Sequence, residues 1–403
     1  MTTQASTSSK FRVSIVGGGV AAIEAALALS ELAPQQTDVT VIAPDSELVY
    51  RPMAVTEPFS FGGANHYTLA PIVADAGAQL LADKLDWIEP EQNKLHTAAG
   101  ETIDYDALIL AIGARPRPRY EHCTTIDDRR LDGLLHGLIQ DIEDGYVKSI
   151  AFVSPGRMPW PLPLYELALM TAGRAYDAQE QLSTTLITPE DAPLGIFGQT
   201  ASNAVAEVLQ RANIETITSA YAEVPARGEV AINPGDRRLK VDRIVALPEL
   251  GGPVVRGIPL GEAGFIRVDQ HGRLRDLDAP IFAAGDAIDF PIKQGGLGCQ
   301  QADAAAEAVA ALAGAPVTPA PFRPVMRAKL LTADEPLYLS AQISGGQGFS
   351  SHASSTPSWS PPSKVAARYL APYLDKLDRA ADAARRAGHE PQTGAIAATA
   401  ASG

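Results

Sequence analysis

Short apolar runs bounded by glycine and polar residues recur along the chain, the pattern of buried strands. Phe11-Arg-Val-Ser-Ile-Val16 leads into Gly17-Gly-Gly19, and an alanine- and leucine-rich stretch after it predicts a helix to about Leu32. Asp38-Val-Thr-Val-Ile42 predicts the next strand roughly 20 residues on, completing a βαβ unit. Tyr105-Asp-Ala-Leu-Ile-Leu110 predicts a strand that ends in the small residues Ala111-Ile-Gly113-Ala114. Ser149-Ile-Ala-Phe-Val153 predicts another, then a turn from Ser154 to Pro163, then a helix through Tyr165-Glu-Leu-Ala-Leu-Met170. Ala279-Pro-Ile-Phe-Ala-Ala-Gly285-Asp286 is a further strand and turn, followed by the glycine-rich helix start Lys293-Gln-Gly-Gly-Leu-Gly-Cys299.

The end of the chain changes character. Ser344 to Pro362 is rich in glycine, serine and proline and predicts a flexible linker. From about Ser363 the residues Val365, Tyr369, Leu370, Tyr373, Leu374 and Leu377 fall at helical spacing, and Pro372 predicts a kink. From Ser363 to Ala387 six Lys or Arg stand against three Asp. Two readings follow: a helix docked on the body or on a second subunit, or a membrane-surface anchor.

Length and charge narrow the function classes. A chain of 403 residues predicts two or three domains. A net charge of −14 argues against a nucleic-acid partner, which needs a basic face. Seven scattered histidines lack metal-ligand spacing, so no metal is expected. Two cysteines in a chain this long fit a reducing cytosol. No apolar run is long enough for a membrane-spanning helix, and the first ten residues lack a signal-peptide core.

The first glycine turn carries the clearest chemistry. Gly17, Gly19 and Ala22, with Val20 and Ala21 between them, form G-x-G-x-x-A between a strand and a helix. Gly17 permits the tight turn, Gly19 lets a pyrophosphate approach the backbone, and Ala22 keeps helix and strand close. The helix N-terminus supplies positive charge. The ribose-binding acid expected at the end of the second strand falls at Ala43; Asp45 and Glu47 follow, either as substitutes or as solvated turn residues. The turn from Ser154 to Pro163 lacks this fingerprint. Gly156 is followed by prolines and Trp160, and proline removes the N–H donors a pyrophosphate uses.

The order of these landmarks resembles the FAD-dependent pyridine nucleotide-disulfide oxidoreductases of the glutathione-reductase-like fold. Val49-Tyr-Arg-Pro52, Pro163-Leu-Tyr165-Glu166 and Pro291-Ile-Lys293 look most like the sulfide:quinone oxidoreductase, flavocytochrome c sulfide dehydrogenase and type II NADH dehydrogenase group. The resemblance implies an α/β fold of two Rossmann-like domains, the second inserted in the first. The FAD domain would span 1–122 and 245–316, a degenerate nicotinamide-type domain 123–244, and a C-terminal region 317–403. It implies FAD with its diphosphate at Gly17 to Ala22 and its ribitol at Asp286 beside Gly285. Ala43, Ala111 and Gly113 would lie along the cofactor, Pro52 beside the ring, and Lys293 and Gly296 at its pyrimidine edge; Arg51, in the segment beside the ring, would reach an acceptor or the FAD diphosphate, or be a surface residue.

It also implies an electron donor, an acceptor such as a quinone, a homodimer, and a cytoplasmic protein with possible peripheral membrane contact. Glu166 would pair with Lys293 or relay a proton to the flavin, or simply answer the helix dipole. Lys293 would steady reduced flavin, or sit solvated in a loop. Trp160 would wall the pocket. The cysteines of the sulfide enzymes are missing at their usual places, so Cys123 and Cys299 form a redox pair or, as better fits their spacing, fill apolar space. NAD(P)H use around Glu190, and a flavin-bound sensor with little turnover, are the other readings.

Overall fold

The computed structural model describes residues 9–156, 160–343 and 349–386. The chain opens with β1 (Phe11–Val16), α1 (Val20–Leu32), β2 (Thr37–Ile42), β3 (Gln79–Leu81) and β4 (Ala107–Leu110). Residues 13–16 of β1 and all of β4 are buried, which is why both read as near-continuous apolar runs. The chain then leaves this sheet and builds a second one. Its elements are β5 (Thr124–Thr125), α2 (Leu131–Glu143), β6 (Ser149–Val153), α3 (Leu162–Asp177), β7 (Ser183–Ile187), α4 (Gln199–Arg211), β8 (Ile214–Ile217) and β9 (Arg243–Ala246). Residues 221–240 add a three-stranded antiparallel layer over this unit.

The chain then returns to the first sheet with β10 (Ile281–Ala283), which pairs parallel with β4, and continues into α5 (Gly295–Leu312). The first sheet has the order β10-β4-β1-β2-β3 and the second β5-β9-β6-β7-β8, both wholly parallel. Strand order reverses between β1 and β4 in one sheet and between β6 and β9 in the other. In open parallel sheets ligands bind beyond the strand ends at such points.

Helices α1 and α5 pack together on the first sheet through small residues. Ala22, Ala25 and Ala26 of α1 and Ala302, Ala305 and Ala306 of α5 are all essentially inaccessible. Small side chains let two helices approach closely over a sheet, so this layer sets the distance from the glycine turn to the start of α5.

The C-terminal region forms an antiparallel sheet of β11 (Val325–Leu330), β12 (Leu337–Ile343) and β13 (Phe349–Ser354), then α6 (Leu370–Arg386). Alternate residues of β11 (Met326, Ala328, Leu330) face the core of the second unit. Two expectations are corrected here. The linker predicted over 344–362 contains a strand, because Phe349–Ser354 pairs along its whole length with β12; residues 344–348 of that stretch lie outside the described residues. The terminal helix begins at Leu370 rather than near Ser363, with Pro372 in its first turn. Proline there gives up an N–H that has no helical partner, so it starts the helix and does not kink it. The apolar face of α6 is docked: Leu370 and Leu374 are buried in the α1–α5 core.

Candidate functional site

Gly17 sits where β1 ends and is pinned on both sides. Its N–H donates to Ile42 O at 2.9 Å, and Ala111 N–H donates to Val16 O at 2.8 Å. Its φ is +133°, and a Cβ there would stand 2.2 Å from the Ala111 carbonyl oxygen. Only glycine fits. Gly19 is different: nothing lies within 4 Å of a Cβ built on it. It is the N-cap of α1 and no side chain caps that helix. The first N–H groups of α1, from Val20, Ala21 and Ala22, thus border open space at the reversal of strand order. That is a cradle for a pyrophosphate.

The other landmarks converge on the same place. A Cβ on Gly285 would lie 3.2 Å from Ala21 Cβ, and one on Gly298 would lie 3.1 Å from Gly285 Cα. The turn after β10 therefore touches both the start of α1 and the start of α5. Gly113, at φ +71°, also has no atom within 4 Å of a Cβ. Among the described residues no donor reaches the Asp286 carboxylate. Burial pushes its pKa up to about 6, with Lys293 opposing the shift and Asp128 adding to it. An acid left without donors beside the cradle fits a hydroxyl-bearing chain such as ribitol.

Lys293 is only 7% exposed. Its ammonium donates to Ile288 O and lies 3.9 Å from the centroid of the Phe265 ring. Burial lowers its pKa to about 8, while Asp286 and Asp289 act against that. It is not a solvated loop lysine. Gly295 and Gly296 follow in the first turn of α5, whose N-cap Gln294 accepts from Leu297 N–H at 3.0 Å. At the other wall, Arg51 reaches Asp128 at 3.4 Å. Ala43 is buried beneath the cradle, Glu47 is engaged by His66 at 2.8 Å, and Asp45 is exposed.

Glu166 and Lys293 do not pair. Glu166, on α3 and 1% exposed, accepts from Leu331 N–H at 2.9 Å and from Lys364 Nζ at 2.7 Å. Lys364 also donates to Pro52 O at 2.9 Å. Burial pushes the Glu166 pKa up and that of Lys364 down, and each partner's charge opposes the other's shift. We read an ion pair there, because each buried group is hydrogen-bonded to the other and to a backbone partner. Glu166 lies beyond the first turn of α3, so the helix dipole is not its main partner. Lys364 escaped the sequence reading, which counted it among the basic residues of a terminal helix. The adjacent Pro361-Pro362 was the signal against helix at that point.

The two cysteines are free and lie in separate cores. Cys123 is beside β5 near Tyr120 O, and Cys299 is buried on α5 with its thiol 3.7 Å from Val20 O. Burial pushes the Cys299 thiol well above its ordinary range, so it is a poor nucleophile. The redox pair is therefore not formed, and apolar packing accounts for Cys299. Trp160 is half-buried and meets the Phe197 ring edge-to-face at 5.9 Å. Met158 and Pro159, expected beside it, lie outside the described residues.

At the second reversal of strand order the picture differs. A Cβ on Gly156 would meet the Tyr221 ring at 3.3 Å, and Pro161 and Pro163 bring no N–H to the start of α3. A cavity of about 450 Å³ lies nearby, lined by Pro161, Glu190, Asp191, Gly198, Gln199 and Ser202 among others. Glu190 accepts from Tyr165 Oη at 2.7 Å and Thr188 Oγ1 at 3.0 Å, while its other carboxylate oxygen is buried without a partner. Burial raises its pKa to about 7.

Residues 11–129 match the family model for pyridine nucleotide-disulphide oxidoreductases. The chain resembles that family over this segment. Its likeness to solved structures extends well beyond that segment. A sulfide:quinone oxidoreductase from Aquifex aeolicus superposes with a TM-score of 0.74 at 17% identity, covering 94% of this chain and 92% of that one. A ferredoxin reductase from Rhodopseudomonas palustris gives 0.63 at 19% identity, covering 84% of each chain. The NDH2 of Plasmodium falciparum gives 0.56 at 16% identity, with 71% of this chain and 66% of that one covered. The fold is that of these solved oxidoreductases, and the sequence resemblance implies FAD as the cofactor. The open cradle at Gly19, the unanswered Asp286 and the buried Lys293 all fit that cofactor.

Proposed function

We propose that this protein is an FAD-dependent oxidoreductase in which a small donor reduces the flavin and an acceptor such as a quinone reoxidises it, without a cysteine persulfide relay. The observation that carries the reading is the convergence of the Gly17–Ala22 turn, the Ala111–Gly113 strand end and the Gly285–Asp286 turn on one open cradle. Bound FAD would supply the two-electron chemistry. The chain's part is to hold and tune it. The N–H groups opening α1 take the diphosphate. The Asp286 carboxylate takes ribitol hydroxyls. The Lys293 ammonium and the start of α5 favour negative charge at the pyrimidine edge. The Arg51–Pro52 segment, tied to Glu166 through Lys364, borders the ring side.

The placement of Cys123 and Cys299 in separate clusters supports chemistry that does not pass through a disulfide. A second reading, NAD(P)H as donor, has one observation in its favour: the cavity at Glu190. The proline-bearing turn before α3 weighs against it. Any peripheral membrane contact through α6 would have to use its outer face, since the apolar one is packed on α1. Anaerobic titration with sulfide, NADH and NADPH, followed by a soluble quinone, separates the readings. Bleaching by sulfide and recovery with quinone is the expected course. Bleaching by NADH or NADPH alone would install the second reading. No bleaching by any of them would leave a flavin-bound sensor.

A further inference from the structure

Between the C-terminal sheet and α6, residues 363–369 run without helix across the starts of α1 and α5. This strap is held by buried polar groups. Tyr50 Oη accepts from Val365 N–H at 2.7 Å. Glu24, fully buried on α1, accepts from Arg368 and Tyr369 N–H at 2.6 and 3.0 Å and from Leu370 N–H at 2.6 Å. One carboxylate thus answers the N–H groups that open α6. The strap in turn covers the first turn of α5: a Cβ on Gly295 would meet Val365 Cγ2 at 3.1 Å.

Asp303, on α5, faces Glu24 from the other side. Its carboxyl is in hydrogen-bond contact with that of Glu24, and its Oδ1 is buried and meets no donor. Asp303 brings a second carboxyl against one that already accepts three N–H donors, and its own Oδ1 meets none, so a proton on Asp303 relieves the repulsion between them. The other groups facing the pair are Cys299 and Glu307 on α5 and Arg368 and Tyr369 on the strap; Arg368 also reaches Glu307 at 3.5 Å.

We propose that the Glu24–Asp303 carboxyl pair is a proton-operated latch that holds the strap and α6 against the body when it carries a proton and loosens them when both groups ionise. Burial, then the Glu24 charge, raises Asp303 to about 8 in the docked state. In an undocked state open to water it returns toward the ordinary value of about 4. The docked pKa is the raised one, so the latch is fully held below the ordinary value. It weakens as pH rises and has lost its proton above about 8.

The test is amide hydrogen exchange of the full-length protein from pH 6 to 9, read as protection factors for peptides within 364–386. Protection there should fall by up to about tenfold per pH unit to pH 8 and then level off, while β1 and β4 stay unchanged. Asp303→Asn keeps a neutral donor toward Glu24 and should flatten the profile at the protected level. Glu24→Gln removes the acceptor charge and should lower protection at every pH. A flat wild-type profile would overturn the proposal, and so would the same slope in wild type and Asp303→Asn.

Discussion

At the residue scale, Lys293 and Asp286 show how burial turns ordinary charges into tuning elements. On the proposed reading Lys293 would stand where reduced flavin gains negative charge, and its ammonium would favour that state. Lys293→Met should lower the flavin midpoint potential, by roughly 20–65 mV for a charge-assisted interaction of about 1–3 kcal/mol. The sign of the pH dependence follows from the lowered pKa. The lysine is charged below about 8 and neutral above it. The gap between wild type and variant should therefore shrink as pH rises through 8, which a dye-coupled redox titration at several pH values would show. An equal gap from pH 6 to 9 would place the charge elsewhere. The sequence left Lys293 either steadying reduced flavin or solvated in a loop, and its burial removes the second reading. Its separation from Glu166 was not readable, because nothing local says which of two distant lysines a carboxylate meets.

At the element scale, Lys364 joins three parts of the chain: the Pro52 segment, α3 through Glu166, and the strap before α6. Its exposure and that of Glu166 are 4% and 1% for the side chains, so neither charge is answered by solvent if the other is removed. Lys364→Met should cost roughly 3–5 kcal/mol. Adding Glu166→Gln to it should restore part of that loss, because the uncompensated carboxylate is then gone. Thermal melts of the two single variants and the double variant check this; additive losses would mean the pair does not act as a unit. The strands and helices around this junction were unequally legible. β1, β4, β6 and β10 announced themselves as apolar runs ending in glycine or small residues. Phe349–Ser354 did not, because a serine-rich edge strand gets its order from pairing with β12 rather than from its own composition. The start of α6 was misjudged for a related reason: Val365 and Tyr369 fit a helical stripe, yet Val365 is buried and Tyr369 partly buried from a non-helical strap held by Tyr50 and Glu24.

At the scale of the whole molecule, two parallel sheets offer two reversal points, and the side chains at each differ. One is an open glycine cradle. The other has proline at its helix start and a tyrosine ring against Gly156. Reduction by NADH or NADPH in a stopped-flow instrument should accordingly be slow and hard to saturate. Rapid reduction saturating at micromolar cofactor would mean that the Glu190 cavity substitutes for the missing fingerprint. The contrast was visible in the sequence, since prolines stand where glycines are needed. The Glu190 cavity itself depends on α4 and the turn before it meeting β7, which no local pattern reveals. The central claim is that the Gly17–Ala22 cradle holds FAD, and flavin content tests it most directly. Wild type and Gly19→Leu would be purified in parallel, reconstituted with FAD, and compared by bound-flavin absorbance and circular dichroism. The account predicts a yellow wild type and a folded, colourless variant, because a side chain starting at Gly19 enters the space left for the pyrophosphate and its Cβ meets no protein atom within 4 Å. Full flavin occupancy in the folded variant, or a wild type that takes up no FAD, would contradict it.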